Sequence, residues 1–278
     1  MTNKVALVTG ASSGIGEDAA RQLQSAGFTA YGAARRTEQM KDLASSGVRT
    51  LSLDVTDEAS AEKAVAEIIE SEGRIDVLVN NAGYGSYGAL EDVPLDEARA
   101  QLEVNVFGLA RMTQLVLPHM RAQHSGTIVN ISSMGGRFAT PMGAWYHASK
   151  YAVEGLSDAL RLEVTRFGID VVVIEPGSIR TGWGLIAADK LRATSGHSPY
   201  AEQAAAMAVS LDQSSRPDAR MTSPPSVIGK VVTKAATVRR PRTRYRVGFG
   251  AGPLVLLSKI LPDRAFDSLI KRSTGVPA

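Results

Sequence analysis

Residues 4–16 read KVALVTGASSGIG. The first half, KVALVTG at 4–10, is a nearly continuous apolar run without alternation, as expected of a strand covered on both faces. Its glycine end opens into a helix-period stretch from Ile15 to Ala26, with Gly27 placed to close that helix. Further apolar runs follow at FTAYGAA (28–34), VRTLSL (48–53), IDVLVN (75–80), GTIVNIS (126–132) and IDVVVIE (169–175), separated by helix-period segments. Strands alternating with helices predict an α/β fold with a doubly wound, mostly parallel sheet. In such sheets ligands collect at the carboxyl ends of the strands, so the residues that follow each run carry the functional information.

The chain of 278 residues is within the range of one α/β unit. The expected organisation is one dinucleotide-binding and catalytic domain over 1–250, in which 178–225 forms a substrate lid, and a C-terminal helical and loop extension over 251–278 that packs on it. After Gly177 the regular alternation stops, and Trp183, the alanines at 204–208 and the run DQSSRPDARMTSPP predict short helices and loops. No apolar run approaches the roughly 20 residues that span a bilayer, and the opening MTNKVALVTG turns polar too early for a secretory signal. A soluble, cytoplasmic protein is expected. There is no cysteine, which excludes disulfides, thiolate metal sites and cysteine nucleophiles. The four histidines, His119, His124, His147 and His197, lack ligand spacing, so no metal is expected.

The net charge of +3 is unevenly spread. From Lys234 to Arg272 ten Lys or Arg stand against Asp263 and Asp267, a local balance of +8 that leaves −5 for the rest. A solvated rim or attraction to an anionic partner both account for it. Nucleic acid is not expected, because no binding motif accompanies the charge.

The first strand ends in TGASSGIG at 9–16, with Gly10, Gly14 and Gly16. Glycines let backbone approach a pyrophosphate, and amides at a helix N-terminus favour its charge, so this turn predicts a dinucleotide site. The cofactor's ribose belongs beyond the second strand, where the chain reads AARRTE. Arg35 and Arg36 suit a 2′-phosphate through paired, charge-assisted bonds and favour NADP(H) over NAD(H); Glu38 argues the other way. In WYHASKY at 145–151, Tyr146 and Lys150 share one helix face a turn apart. Alone, that pair reads as a solvated face with a snorkelling lysine.

The ordered set TGASSGIG (9–16), LDVTD (53–57), NNAG (80–83), VNVFG (104–108), VNISS (129–133), YHASK (146–150) and EPGSIRT (175–181) resembles the short-chain dehydrogenase/reductase family over about residues 3–185. AARR and FATPMGAWYHASK look more particularly like its 17β-hydroxysteroid and retinol dehydrogenase-like reductases. The resemblance implies a Rossmann-type fold and a catalytic tetrad of Asn105, Ser133, Tyr146 and Lys150. Ser133 is chosen over Ser132 because it precedes Tyr146 by thirteen residues. The cofactor set it implies comprises Gly10, Ser12, Ser13, Gly14, Ile15 and Gly16 in the turn, with Arg35 and Arg36. It continues with Asp54, Val55, Asn81, Ala82 and Gly83, then Tyr146 and Lys150, and ends with Pro176, Gly177, Ile179 and Thr181. Asp54 is expected at the adenine amino group or, alternatively, as a turn former. Asn105 is expected to hold a water between Lys150 and solvent or to satisfy backbone, and Asn80 to hold the sheet turn.

Chemistry gives the Tyr146–Lys150 pair a purpose. Bringing a phenol from about 10 to near 7 takes about 4 kcal/mol of phenolate stabilisation, which Lys150 and an oxidised nicotinamide are expected to supply. Tyr146 would protonate a carbonyl oxygen in reduction and act as base in oxidation, Ser133 would hold that oxygen, and Lys150 would also grip the nicotinamide ribose. His147 lies about 100° around the helix and reads as wall or core. Trp145, Trp183, Met134, Phe138 and Met142 are candidates for an apolar substrate cleft or for ordinary core. RYRVGFG predicts a seventh strand, and the apolar stripes around Leu254–Leu261, Phe266, Leu269 and Ile270 predict helices that pack on the domain in preference to a membrane surface.

The resulting expectation is an NADP(H)-dependent oxidoreductase acting on a carbonyl or secondary alcohol of a moderately apolar small molecule. The alternatives are an NAD-linked dehydrogenase of the same family and a non-catalytic dinucleotide-sensing protein. Family resemblance further implies a homodimer or homotetramer built on the long helices around 100–123 and 146–167.

Overall fold

The fold was analysed in a computed structural model, which describes residues 3–277; positions 1–2 and 278, the outer ends of the two expected segments, lie outside the described residues. The chain opens with β1 (Val5–Thr9), α1 (Gly14–Ser25), β2 (Thr29–Ala34), α2 (Lys41–Ser45), β3 (Arg49–Ser52), α3 (Glu58–Glu72) and β4 (Val77–Asn80). It continues through α4 (Leu95–Leu102), α5 (Leu109–Gln123), β5 (Gly126–Ile131), α6 (Ala144–Val164) and β6 (Ile169–Pro176). The last third holds α7 (Trp183–Ser195), α8 (Ala201–Ser215), α9 (Ser226–Thr237), β7 (Arg244–Val247), α10 (Ala251–Ile260) and α11 (Asp263–Thr274).

Seven strands form one sheet in the order β3-β2-β1-β4-β5-β6-β7. Every pairing is parallel, β7 included. The order reverses between β1 and β4, which opens the crevice at their carboxyl ends where a ligand fits. The unbroken apolar runs follow from burial on both faces. Ala6 and Val8 enter the layer under α1 and α9, while Val5 and Leu7 enter the opposite layer under α3, α5 and α6. Gly27, at φ +89°, ends the first helix in the left-handed region as its position predicts.

Inside the sheet, two asparagine amides find partners. The Asn80 amide donates to Thr113 Oγ1 at 3.0 Å and to Asn130 Oδ1 at 2.9 Å, and the Asn130 amide donates to Ser157 Oγ at 2.9 Å. This ladder ties β4 and β5 to α5 and α6, the sheet-holding role expected of Asn80.

The segment after Gly177 differs from expectation. In place of short helices it forms two full ones, α7 and α8, packed as a hairpin between Ile179 and Ser223, which bridge each other. α9 then completes the crossover from β6 to β7. Alanines let α7 and α8 approach closely, with Ala187, Ala188, Ala204 and Ala208 all buried. Beyond β7, α10 and α11 close over the Met134–Phe138 turn: Phe138 meets Phe266 edge-on at 5.2 Å, and Val255 and Ile270 complete that cluster.

Candidate active site

The glycine turn leaves β1 with Gly10 at φ +67° and enters α1 with Gly14 at φ +61°. A methyl on Gly16 would run into the Gly10 carbonyl and the Asn81 amide, and one on Gly14 would lie 3.2 Å from the Thr181 methyl. The turn therefore stays bare, with its amides at the start of α1 and the Thr181 loop facing it. A pyrophosphate fits such a cradle. Asn81 holds the turn from behind, its amide donating to the carbonyls of Thr9 at 2.9 Å and Gly10 at 3.1 Å, while Thr9 Oγ1 accepts from the Asn81 and Ala82 amides.

Arg35 and Arg36 stand exposed at the tip of β2, and Arg35 Nη1 lies 4.0 Å from Asp54 Oδ2. Asp54 forms a turn of its own, with Oδ1 accepting from Thr56 N at 3.0 Å and Thr56 Oγ1 at 2.7 Å. Burial alone would raise its carboxyl, but the Thr56 bonds and Arg35 outweigh that and leave it below the ordinary range. The turn-forming alternative thus accounts for one oxygen; the other faces the arginine.

Across the crevice, the tip of β5 carries Ser133 and the first turns of α6 carry Tyr146 and Lys150. Ser133 Oγ accepts from Gly135 N at 2.9 Å and hydrogen-bonds the Tyr146 phenol. Lys150 Nζ donates to the Ile131 carbonyl at 2.8 Å. All three gather at the carboxyl end of β5, at the same end of the sheet as the glycine turn. In the protein alone, burial dominates the electrostatics of the pair. Burial pushes the Tyr146 phenol up to about 12, opposed by the Ser133 bond, and pulls Lys150 down to about 8, opposed by Glu154. Composition and spacing do not reveal this desolvation, and Lys150 alone does not acidify the phenol.

Asn105 sits in a π-turn, Glu103–Gly108, between α4 and α5. Its amide donates to Tyr84 O and Ser149 Oγ, both at 3.0 Å, and Oδ1 accepts from Tyr84 N at 3.1 Å. These contacts express the backbone-satisfying alternative and pin the Tyr84 loop to α6. His147 is a wall: Nε2 accepts from Thr140 N at 2.9 Å, which leaves Nδ1 to donate to Gly135 O at 2.9 Å, and burial keeps the ring's pKa below the usual histidine value.

The aromatic candidates divide. Trp183 lies 5.1 Å from the Tyr146 ring, and Met142 shares their cluster; Met134 and Phe138 pack instead under the C-terminal helices. Trp145 joins neither cluster. Met142 adopts φ +64°, a left-handed strain of about 1–3 kcal/mol for a residue with a side chain, beside the candidate catalytic tyrosine. Tyr87, not singled out in the sequence, lies 5.7 Å from Tyr146 and 5.8 Å from Trp183. Its only sequence signal is an aromatic between the glycines of GYGSYG. A cavity of about 590 Å³ opens on the outer side of Met142, between Gly88–Glu91, Ala139–Met142 and Tyr200.

This arrangement meets its counterpart among known proteins. The family model for short chain dehydrogenase matches residues 4–187. The chain belongs to the short-chain dehydrogenase/reductase family. Its fold is that family's: a solved short-chain dehydrogenase from Streptomyces avermitilis superimposes with a TM-score of 0.82 at 34% identity, covering 99% of this chain and 98% of that one. A 3-ketodihydrosphingosine reductase from Bacteroides thetaiotaomicron is 44% identical over 66% of each chain. An NADPH-dependent 3-dehydrocapnine reductase from Ornithobacterium rhinotracheale is 34% identical over 96% of this chain and 95% of its own. This short-chain dehydrogenase/reductase is thus a dinucleotide-dependent oxidoreductase. Among the described residues no helix is long and apolar enough to cross a membrane.

Proposed function

We propose that the protein is an NADP(H)-dependent oxidoreductase that transfers hydride between the nicotinamide and a carbonyl or secondary alcohol of a moderately apolar small molecule. The observation that carries the reading is that Ser133, Tyr146 and Lys150 gather at the carboxyl end of the sheet, the end on which a turn opens whose Gly10 and Gly16 leave no room for a side chain. The turn and the Pro176–Thr181 loop would hold the dinucleotide, with Asn81 supporting the turn and Arg35 and Arg36 taking a 2′-phosphate. A nicotinamide bound there supplies hydride for reduction and accepts it in oxidation.

Ser133 orients the substrate oxygen, and Tyr146 donates its proton to that oxygen as the carbon is reduced. A phenol near 12 is protonated at neutral pH, the form reduction needs. Its return as a base requires added positive charge, which Lys150 and an oxidised nicotinamide carry. Lys150 holds the ribose, and Asn105 holds the Tyr84 loop against α6. Tyr87, Met142 and Trp183 form the apolar side of the cleft. The relatives' names support the reading: two are reductases, and one is called NADPH-dependent.

The full chain, incubated with NADPH or NADH and a panel of ketones from acetophenone to 2-decanone, is expected to consume NADPH. Tyr146→Phe is expected to lose about 100-fold or more in kcat with nucleotide binding retained. Nucleotide binding without turnover, and a Tyr146→Phe variant that behaves as wild type, would replace this reading by the sensing alternative. Exposed Phe107, Tyr151 and Leu162 on and beside α5 and α6 support a homodimer or homotetramer built there. Light scattering of Leu162→Glu tests it, and an unchanged mass in solution would count against that interface.

A further inference from the structure

Behind Lys150 lies a buried ionic cluster that the chemistry above leaves unused. Glu154, one turn further along α6, and Glu175, the residue before Pro176 in β6, are 5% and 0% exposed. Three arginines reach them. From β7, Arg244 Nε donates to Glu154 Oε2 at 3.0 Å and lies 3.4 Å from Glu175 Oε1, and its Nη2 donates to Asp158 at 2.6 Å. Arg246 Nε donates to Glu175 Oε2 at 2.7 Å. From the turn after Ser133, Arg137 lies 3.7 Å from Glu154 and 3.8 Å from Glu175. Two buried carboxylates side by side are costly unless paired, and this pairing spans four segments. Three of them carry functional positions: β5 and its turn hold Ser133, α6 holds Tyr146 and Lys150, and β6 leads into Pro176 and Gly177.

The packing leaves no slack. A methyl on Gly136 would come within 2.8 Å of Ser132 Oγ, 2.9 Å of the Lys150 carbonyl and 3.1 Å of Glu154 Cγ. Glu154 Oε2 is taken by the arginines; burial and the neighbouring Glu175 raise its carboxyl above the ordinary range, opposed by Ser132 and Arg244. The Lys150 ammonium is buried, with the Ile131 carbonyl as its hydrogen-bond acceptor.

We propose that Glu154 is a positioning residue for the reaction: fixed from outside the helix by Arg137 and Arg244, its carboxylate, one turn from Lys150 in the same buried layer, keeps that ammonium charged. The inference rests on Lys150 serving the hydride transfer proposed above. The charged groups that face Glu154 are Arg137 from the turn after β5, Arg244 from β7, Glu175 from β6, and Lys150 and Asp158 on its own helix. Lys150 stands one helical turn after Tyr146 and one before Glu154 on α6, with its ammonium on the Ile131 carbonyl of β5. Burial lowers Lys150, and Glu154 raises it. Removing that negative charge lets burial win further, so Lys150 loses its proton at a lower pH.

The test reads Lys150 directly. Lysine-labelled full chain is titrated by NMR, with the Lys150 resonance assigned by its loss in Lys150→Gln. Glu154→Gln, close in shape but uncharged, is expected to lower the Lys150 midpoint by about one unit. The alkaline limb of NADPH-dependent reduction of acetophenone and 2-decanone should move to lower pH by the same amount, a rate loss of about tenfold above the new midpoint. Glu154→Asp, which keeps the charge but withdraws it by one methylene, should fall between the two. A purely structural role would lower the melting temperature and leave the midpoint alone. An unmoved or raised Lys150 midpoint in Glu154→Gln overturns the inference; if that variant does not fold, an unmoved midpoint in Glu154→Asp does so. Should the wild type reduce neither ketone, the oxidoreductase reading fails, while the titration still decides the role of Glu154.

Discussion

Gly14 and Thr181 face each other across the mouth of the crevice, and a methyl added to Gly14 would stand 3.2 Å from the threonine methyl. One residue starts α1 and the other lies in the loop after β6, so the two segments that would flank a dinucleotide close on each other here with no room for a further methyl. Gly14 also holds φ +61°, which costs an ordinary residue about 1–2 kcal/mol. Gly14→Ala is therefore expected to weaken NADPH binding at least tenfold, read by quenching of protein fluorescence, with a melting temperature only a few degrees lower. Combining it with Thr181→Ser, which removes the opposing methyl, should restore part of the affinity. Wild-type affinity in Gly14→Ala would show that nucleotide binding does not depend on this close approach.

Cofactor preference turns on the tip of β2. A guanidinium pairs with a phosphate dianion, whereas a carboxylate there repels it and accepts from a free hydroxyl. Arg36→Asp should raise the NADPH dissociation constant by tenfold or more and leave NADH binding equal or tighter. Equal losses for both nucleotides would show that Arg36 does not read the 2′ position.

His147 makes stability depend on pH. Its ring is neutral in the fold and its pKa is depressed by burial, so the unfolded chain binds more protons as the pH falls through about 6.5, the ordinary histidine value. The stability present above that pH is lost below it, with a slope of up to about 1.4 kcal/mol per unit. Urea midpoints between pH 7.5 and 5.5 should fall less steeply in His147→Gln than in wild type. Identical slopes would assign the acid sensitivity to other groups.

Much of the fold was legible because its central strands are buried on both faces, and a run such as VALVT has few other uses. The site was legible where chemistry constrains spacing, as with Ser133, Tyr146 and Lys150. The rest was hidden for identifiable reasons. α7 and α8 are rich in alanine and pack face to face, which weakens the amphipathic signal by which a surface helix is read. Glu154 and Glu175 resemble solvated carboxylates until β7, about seventy to ninety residues away in the chain, brings Arg244 and Arg246 against them. For Tyr146 a neighbouring cation is visible in the sequence, whereas the burial that raises its phenol is a property of the assembled core.

The run of side chains from Asn80 through Asn130 to Ser157 has a mechanical consequence. Sliding β4 past β5 by one residue would detach the Asn80 amide from the Asn130 side-chain carbonyl inside an apolar interior, where an orphaned group costs about 1–3 kcal/mol. Alignment of these two strands is thereby quantised, with one low-energy setting and steep walls on either side. The tips that present Asn81 and Ser133 inherit that fixed phase, so tolerances at the reacting end are set by a lock placed deep in the sheet.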